Sequence, residues 1–401
     1  MSEMRCRNAL QGVKVLELTH YEAGPTCALM LAFLGAEVIK IESPIKEKSN
    51  RRLFLGEEGN EDLYFVLLNL NKRSVTLDIE SEEGHSLFID LVKISDVLIE
   101  NFGLEKMQLW GLDFETLKKH NPRLIYGSIS GYGLFGPYSS YPSLDMTAQA
   151  MGGLMSMTGN EDDLPLRCGF AISDTLSGTN LALGITAALY RREKTGKGAT
   201  VDVSLHDSTI SCGRSVLGTH IAYGSKAPKT GNKLEDVVPW NIYKTKEGGY
   251  VAICIVQQRT FENLMNIIGK NELIEKYKLY SLKSRKEKCE IIEKVLFEWV
   301  ISRTKMEVME LLCNQNIPCG AVLDSKDIGD DPHLCQRGMI VEIVHHEWGK
   351  IKVLGCPVKF GDSHIKIKSS PKLGEHNQKI FSKLLGLSQK KIQNLKDRGI
   401  I

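Results

Sequence analysis

Through its first 130 residues the chain alternates strand-like and helix-like hydrophobic patterns, and this alternation narrows the available folds more than any other feature. Val13 to Leu18 reads as a buried strand. Gly24-Pro25 then opens a helix, Thr26 to Leu34, with Pro at its first turn and Gly35 just past its end. Val38 to Ile41 follows as a second strand, which makes the opening segment a βαβ unit. A helix at Leu63–Leu68, a strand at Val75–Ile79, a helix at Ser86–Lys93 and a strand at Val97–Glu100 continue the series. A helix near Phe114–Lys119 and a strand at Leu124–Ser130 complete it. Such alternation predicts an α/β fold with a parallel, Rossmann-like sheet and helices on both faces.

Further along, a long apolar helix carries Leu181, Ile185, Ala188 and Leu189 on one stripe, and Thr200–Leu205 alternates as a strand. The character changes after about residue 222. Ser225 to Asp236 is polar and reads as a linker, and Tyr243–Val256 as a hairpin around Glu247-Gly248-Gly249. Residues 260–316 read as charged amphipathic helices, 339–344 and 350–354 as strands, and 377–399 as helical. The expected organisation is a large domain built from residues 1–224 and 326–401, with a smaller α+β domain, 225–325, inserted between them.

A net charge of +2 with 25% charged residues gives no field that would draw nucleic acid or an anionic membrane. Ten cysteines include no C-x-x-C pair, and Cys313 and Cys319 are too far apart for a common zinc spacing. The first residues, MSEMRCRNALQG, lack an apolar signal core, and no run approaches a membrane span. The expectation is a cytoplasmic protein with reduced thiols.

Asp174 is the leading candidate for chemistry. It stands in Ile172-Ser173-Asp174-Thr175 at the first turn of the long helix, where unpaired backbone N–H groups and the positive end of the helix dipole favour an ionised carboxylate. Such a setting suits a carboxylate nucleophile, and equally a capping residue worth about 0.5–2 kcal/mol. The turn Thr19 to Pro25 lies at the carboxyl end of the first strand, where open α/β sheets bind ligands, although it is not G-x-G-x-x-G. Asn71-Lys72-Arg73-Ser74 places two cations before a strand, suited to phosphates or simply to solvent. His345 and His346 are adjacent, and alternation along a strand would send them to opposite faces, so no metal site is expected there. Neither a G-x-S-x-G elbow nor H-E-x-x-H occurs.

Taken in order, these segments resemble the family III CoA-transferases (the CaiB/BaiF family), which include formyl-CoA:oxalate and carnitine CoA-transferases and the α-methylacyl-CoA racemases. The resemblance rests on Leu16-Glu17-Leu18-Thr19-His20 with Ala23-Gly24-Pro25, on Leu34 through Glu42, on Asn71-Lys72-Arg73-Ser74 and on Glu100-Asn101-Phe102. It continues with the Asp174 helix ending in Lys194-Thr195-Gly196-Lys197-Gly198, then Ile317-Pro318-Cys319-Gly320, Asp331-Pro332-His333-Leu334, Arg337-Gly338 and Gly374-Glu375-His376. It covers nearly the whole chain.

The resemblance implies that Asp174 is the catalytic carboxylate, which attacks an acyl-CoA thioester to form an enzyme-bound mixed anhydride and then an aspartyl-CoA thioester. It implies that Tyr21, Glu22 and Ala23 line the CoA channel with Asp145, and that Leu77, Asn101, Phe102 and Gly103 lie near the adenine end. CoA and acyl-CoA enter as substrates, a free carboxylic acid is the second substrate, no permanent cofactor or metal is required, and an interlocked homodimer is implied.

Departures from the family pattern shape the expected substrate. Formyl-CoA transferases carry a Gln at the position of Glu22, a Trp at Leu53 and an Arg at Ser43, with Arg51 and Arg52 nearby here. The stretch Val256-Gln257-Gln258-Arg259 lacks their run of glycines. These changes point to an acceptor larger or less charged than oxalate. The racemases carry a Gly-His-Asp segment where this chain has Ser143-Leu144-Asp145, and leucine cannot carry a proton. A non-catalytic CoA-binding subunit is the third reading.

Overall fold

The computed structural model describes residues 8–45, 51, 61–363 and 365–401, so Cys6, Arg52 and Leu53 lie outside the described residues. Six strands, β1 (Lys14–Leu18), β2 (Glu37–Glu42), β3 (Arg73–Thr76), β4 (Val97–Glu100), β5 (Ile125–Ser130) and β6 (Ala199–Ser204), form one sheet. All neighbours are parallel, in the order β3-β2-β1-β4-β5-β6. This is the doubly wound arrangement, with its switch point between β1 and β4.

Side-chain alternation divides each apolar run between two cores. Leu16, Ile39 and Leu98 face one layer with Phe88, Leu91, Phe381 and Leu395. Val15, Val38 and Val97 face the other with Leu31, Leu181 and Ile185. Strands buried on both faces therefore read as near-continuous hydrophobic sequence.

The chain divides into two compact units. The first comprises residues 1–155, 167–218 and 332–401, and the second 156–166 and 219–331. Against the expected boundaries, the changeovers fall at 218/219 and 331/332, and residues 156–166 group with the second unit. In the second unit, antiparallel strands β7 (Trp240–Lys244), β8 (Tyr250–Cys254) and β9 (Cys319–Ala321) pack with helices Gln258–Ile267, Cys289–Val300 and Lys305–Cys313 around Val251, Phe261 and Leu296. Strands β10 (Ile340–His345) and β11 (Gly349–Leu354) form a hairpin within the first unit.

Two local differences from the sequence reading have clear causes. Strand β3 lies earlier than Val75–Ile79, because its partner β2 ends at Glu42 and the last bond across the pair is Leu77 N–H to Glu42 O, 2.8 Å. The stretch 377–399 is two helices, Asn377–Lys383 and Gln389–Asp397, separated where Gly386 takes φ 70°.

Candidate active site

The Asp174 helix runs from Ile172 to Thr195 and ends on Gly196 in the left-handed conformation. Its N-cap position is Ala171, which has no capping side chain. Asp145 does that work from the short helix Asp145–Met151, its Oδ1 accepting the backbone N–H of Ser173 at 2.9 Å and of Asp174 at 3.4 Å. Asp145 Oδ2 accepts from Gln149 Nε2 at 2.6 Å, which fixes the carboxylate. Asp174 is thus relieved of capping. Burial, then the charges of Glu22 and Asp145, push its carboxyl up to about 7.

Glu22 arrives from the other side, at the start of helix Ala23–Phe33. Its carboxylate turns to the hydroxyl of Tyr64 on one oxygen and accepts from Thr175 Oγ1 at 2.9 Å on the other. Burial also raises Glu22 to about 7, with the Thr175 hydrogen bond opposing and Asp145 adding to the rise. The two helices meet closely here: a Cβ on Gly178 would lie 2.5 Å from Ala23 O, and a Cβ on Gly24 would lie 2.5 Å from the Thr19 side chain. Glycine at 178 lets the start of helix Ala23–Phe33 press against the Asp174 helix, and glycine at 24 lets the turn that carries Tyr21, Glu22 and Ala23 fold back on Thr19.

A ring series leads away from this turn. Tyr21 packs on His20 at 4.5 Å between centroids, His20 on Phe102 at 4.6 Å, and Phe102 on Trp110 at 5.1 Å. Phe102, Trp110 and Leu77, with Ile41, Ser43, Lys40 and Lys106, line a cavity of about 310 Å³ at the carboxyl ends of β1 to β4. The aromatic walls suit a flat ring system; Lys106 offers an ammonium at the edge, whereas Lys40 is bonded to Glu17 and Thr19 O, and Glu42, Asp78 and Glu80 border the same cavity. Asn101 and Gly103 line a neighbouring cleft of about 320 Å³, which Phe102 also borders. The Asn101 side chain is committed to the backbone of His20, accepting from its N–H at 3.0 Å and donating to its carbonyl at 2.8 Å. Glu100 Oε2 holds the loop beyond, accepting from the N–H groups of Phe102 and Gly103.

The residues singled out from sequence therefore fall into three groups: Asp145 and Asp174 around one helix start with the turn of Tyr21, Glu22 and Ala23 beside it, Leu77 with Phe102 in the cavity, and Asn101 with Gly103 in the neighbouring cleft. Sequence reading missed Lys106 and Trp110 as cavity residues; their only signal was i, i+4 spacing on a short helix, with the Lys106 ammonium 4.7 Å above the Trp110 ring. Ser43 does line the cavity, but Arg51 does not replace the arginine expected there: it is buried, bonded to Glu42 and Glu61 and to Pro371 O. Val256 to Arg259 lie in the second unit, where Gln257 precedes helix Gln258–Ile267. Leu144 is 63% exposed and offers no base.

The histidine pair departs from the alternation argument. His345 ends β10 and His346 lies in the turn, so their rings come together at 4.1 Å beside Glu61. The donor set argues against a metal on other grounds. His345 Nδ1 accepts from the N–H groups of Glu347 and Trp348, which leaves its proton on Nε2, the atom facing Glu61 at 3.6 Å. Arg51 already neutralises Glu61 at 2.5 Å.

Fold and cleft together define a doubly wound α/β protein with a ligand crevice at its switch point and a carboxylate cluster beside it. The chain belongs to CoA-transferase family III, whose model matches residues 10–377, and it is a CoA-transferase that acts on CoA thioesters. It is 37% identical to a formyl-CoA:oxalate CoA-transferase of Streptomyces coelicolor over 98% of this chain and 99% of the relative. A formyl-CoA:oxalate CoA-transferase of Rhodopseudomonas palustris is 34% identical over 98% and 97%. Among solved structures, a CaiB/BaiF family protein from Brucella suis superposes with a TM-score of 0.84 at 33% identity, covering 94% of this chain and 100% of that one. The protein Rv3272 of Mycobacterium tuberculosis gives 0.78 at 27%, covering 92% and 98%.

Proposed function

We propose that this chain moves CoA from an acyl-CoA to a free carboxylic acid with Asp174 as the covalent carrier. The observation that carries the reading is the placement of Asp174: at the start of a 24-residue helix, uncapped by its own role, and beside a second carboxylate held by hydroxyls. In the proposed sequence Asp174 attacks the thioester carbonyl, the C–S bond breaks and CoA thiolate leaves, giving an acyl–aspartyl anhydride. Thiolate is a serviceable leaving group because its thiol pKa is about 8.5. The thiolate then attacks the aspartyl carbonyl, releases the donor acid and forms an aspartyl-CoA thioester. The acceptor carboxylate displaces CoA to form a new anhydride, and CoA returns to the acceptor's acyl carbon, freeing Asp174. No bond is lost to water, and the energy of the thioester passes from one acid to the other.

Glu22 sets the acceptor in this reading. A carboxylate with a pKa near 7 beside the nucleophile is partly anionic at neutral pH, where formyl-CoA transferases carry a neutral amide. Doubly charged oxalate would meet that charge at close range, so the preferred acceptor is a singly charged or bulkier acid. The racemase alternative requires a second base where Leu144 stands, and the side chain supplies none.

The test is chemical trapping. Incubation with acyl-CoA followed by hydroxylamine is expected to modify Asp174, as read by mass spectrometry, and Asp174→Ala should lose both label and transfer. An unlabelled Asp174 across acetyl-, succinyl- and formyl-CoA, each with a panel of acids, would overturn the reading in favour of a non-catalytic subunit. Exchange of the Cα proton in deuterated buffer without CoA exchange would instead favour the racemase.

A further inference from the structure

The segment Asn71-Lys72-Arg73-Ser74 serves neither of the roles its sequence suggested. Arg73 lies on β3 and pairs with Glu37 on β2, at the partly exposed edge of the sheet. Lys72 is buried, its side chain wholly out of solvent. Its ammonium contacts three acceptors: Glu17 Oε2 at 2.8 Å, Pro25 O at 3.0 Å and Asn69 Oδ1 at 3.0 Å. The contacts to Pro25 O and Asn69 Oδ1 are hydrogen bonds, and that to Glu17 Oε2 is an ion pair. Lys40, also buried, reaches the other oxygen of Glu17 at 2.8 Å and Thr19 O at 3.1 Å. Thr19 Oγ1 adds a third bond to Glu17 at 2.8 Å.

The two carbonyls held by these lysines, of Thr19 and Pro25, bracket one turn. Between them lie Tyr21, at φ 58° in the left-handed region that a tyrosine enters only under constraint, and Glu22, held against Thr175 next to Asp174. A buried arrangement of two cations on one anion is a poor device for stability alone, since each charge must be desolvated. Its geometry instead fits a clamp on the turn.

We propose that Lys40 and Lys72, bridged by Glu17, are positioning residues that fix the Thr19–Pro25 turn and through it the placement of Glu22 beside the nucleophile. This rests on the reading of Asp174 as nucleophile. The ammonium groups do not touch the reacting atoms; they hold the two ends of the turn by its main-chain carbonyls, while Asn101 holds its middle through His20. Lys40 also edges the cavity, so the clamp couples the place where the cavity ends to the place where acyl transfer begins.

The experiment compares wild type with Lys72→Met, which keeps the side-chain length and leaves a neutral Glu17–Lys40 pair, and with Asn69→Ala, which removes one acceptor without changing charge. Three readouts are taken on folded protein: KM for acyl-CoA, the single-turnover rate of Asp174 acylation, and amide hydrogen exchange across residues 19–25. For Lys72→Met the expected result is an acylation rate lower by roughly tenfold or more with KM changed by less than about threefold, and faster exchange in the turn. Asn69→Ala should show the same split at roughly threefold. If Lys72→Met does not fold, Asn69→Ala alone decides. An acylation rate and turn exchange both within about twofold of wild type in the folded variants would overturn the proposal. Should wild-type Asp174 take no label, the nucleophile reading fails. The exchange data would then still show whether the clamp holds the turn, and unchanged exchange would overturn that as well.

Discussion

Asp145 and Asp174 divide two tasks that a single carboxylate at a helix start would otherwise combine. Asp145 neutralises the exposed N–H groups, and Asp174, left without that bond, sits with its pKa raised to about 7. In the proposed mechanism attack requires the ionised form, so kcat/KM should fall about tenfold per pH unit well below pH 7 and level off above it. Glu22→Gln removes one of the charges that raise Asp174 and is expected to move this acid limb to lower pH; an unmoved limb would show that the two groups are not coupled. The same shifts bear on stability. Asp174 and Glu22 hold protons in the folded state up to about 7, where their unfolded forms have already released them near the ordinary values of 3.8 and 4.5. Stability from these groups therefore declines as pH rises from the ordinary carboxylate range to about 7, and Asp174→Asn should flatten the decline in melting temperature between pH 5 and 7.5. The location of Asp174 at a helix start was legible in the sequence, because the apolar stripe that follows it marks the helix. The donors and neighbours were not: Asp145 lies 28 residues from Ser173 and Glu22 lies 153 from Thr175, and no local pattern encodes such pairs. Lys72 was misread for a related reason, since a Lys-Arg pair looks solvated until its partner carboxylate is known.

Among the elements, strands buried on both faces were legible as apolar runs, and β4 lies where the hydrophobic pattern placed it. Short polar helices were not: Asp145–Met151 and Leu205–Ile210 owe their order to tertiary contacts and capping more than to periodicity. The contact of helix Ala23–Phe33 with the Asp174 helix is the sharpest steric constraint on the site. Gly178→Ala would set a Cβ 2.5 Å from Ala23 O, a backbone atom that cannot swing aside. Denaturant unfolding should show a loss of about 1–3 kcal/mol, with transfer activity falling further than the loss of folded protein explains. Gly218→Ala, where a Cβ meets nothing within 4 Å on a helix, should be neutral or stabilising by up to about 1 kcal/mol.

For the whole molecule, the α/β class followed from the order of patterns along the chain, while the interlocked homodimer comes only from resemblance. It is proposed on that basis, and the exposed Leu183 and Tyr190 on the Asp174 helix and Phe170 just before it are apolar surface of the kind a partner covers. Sedimentation should give twice the monomer mass, and differently tagged subunits, once folded, should fail to exchange on mixing without denaturant, because linked rings separate only by unfolding; rapid exchange would exclude the interlock. The carboxyl-terminal helices carry one more consequence. Asn377 bonds to Thr76 and His376 to Ser74, and Phe381 and Leu395 complete the core on one face of the sheet. These contacts span about 300 residues. At a synthesis rate of roughly 5–20 residues per second, the strands made first wait on the order of tens of seconds for the segment that covers them. Throughout that interval the nascent chain presents a sheet face covered only in part, by the helix that carries Phe88 and Leu91, so the yield of this protein in a cell is expected to depend on chaperones that shield the uncovered part until translation has passed residue 395.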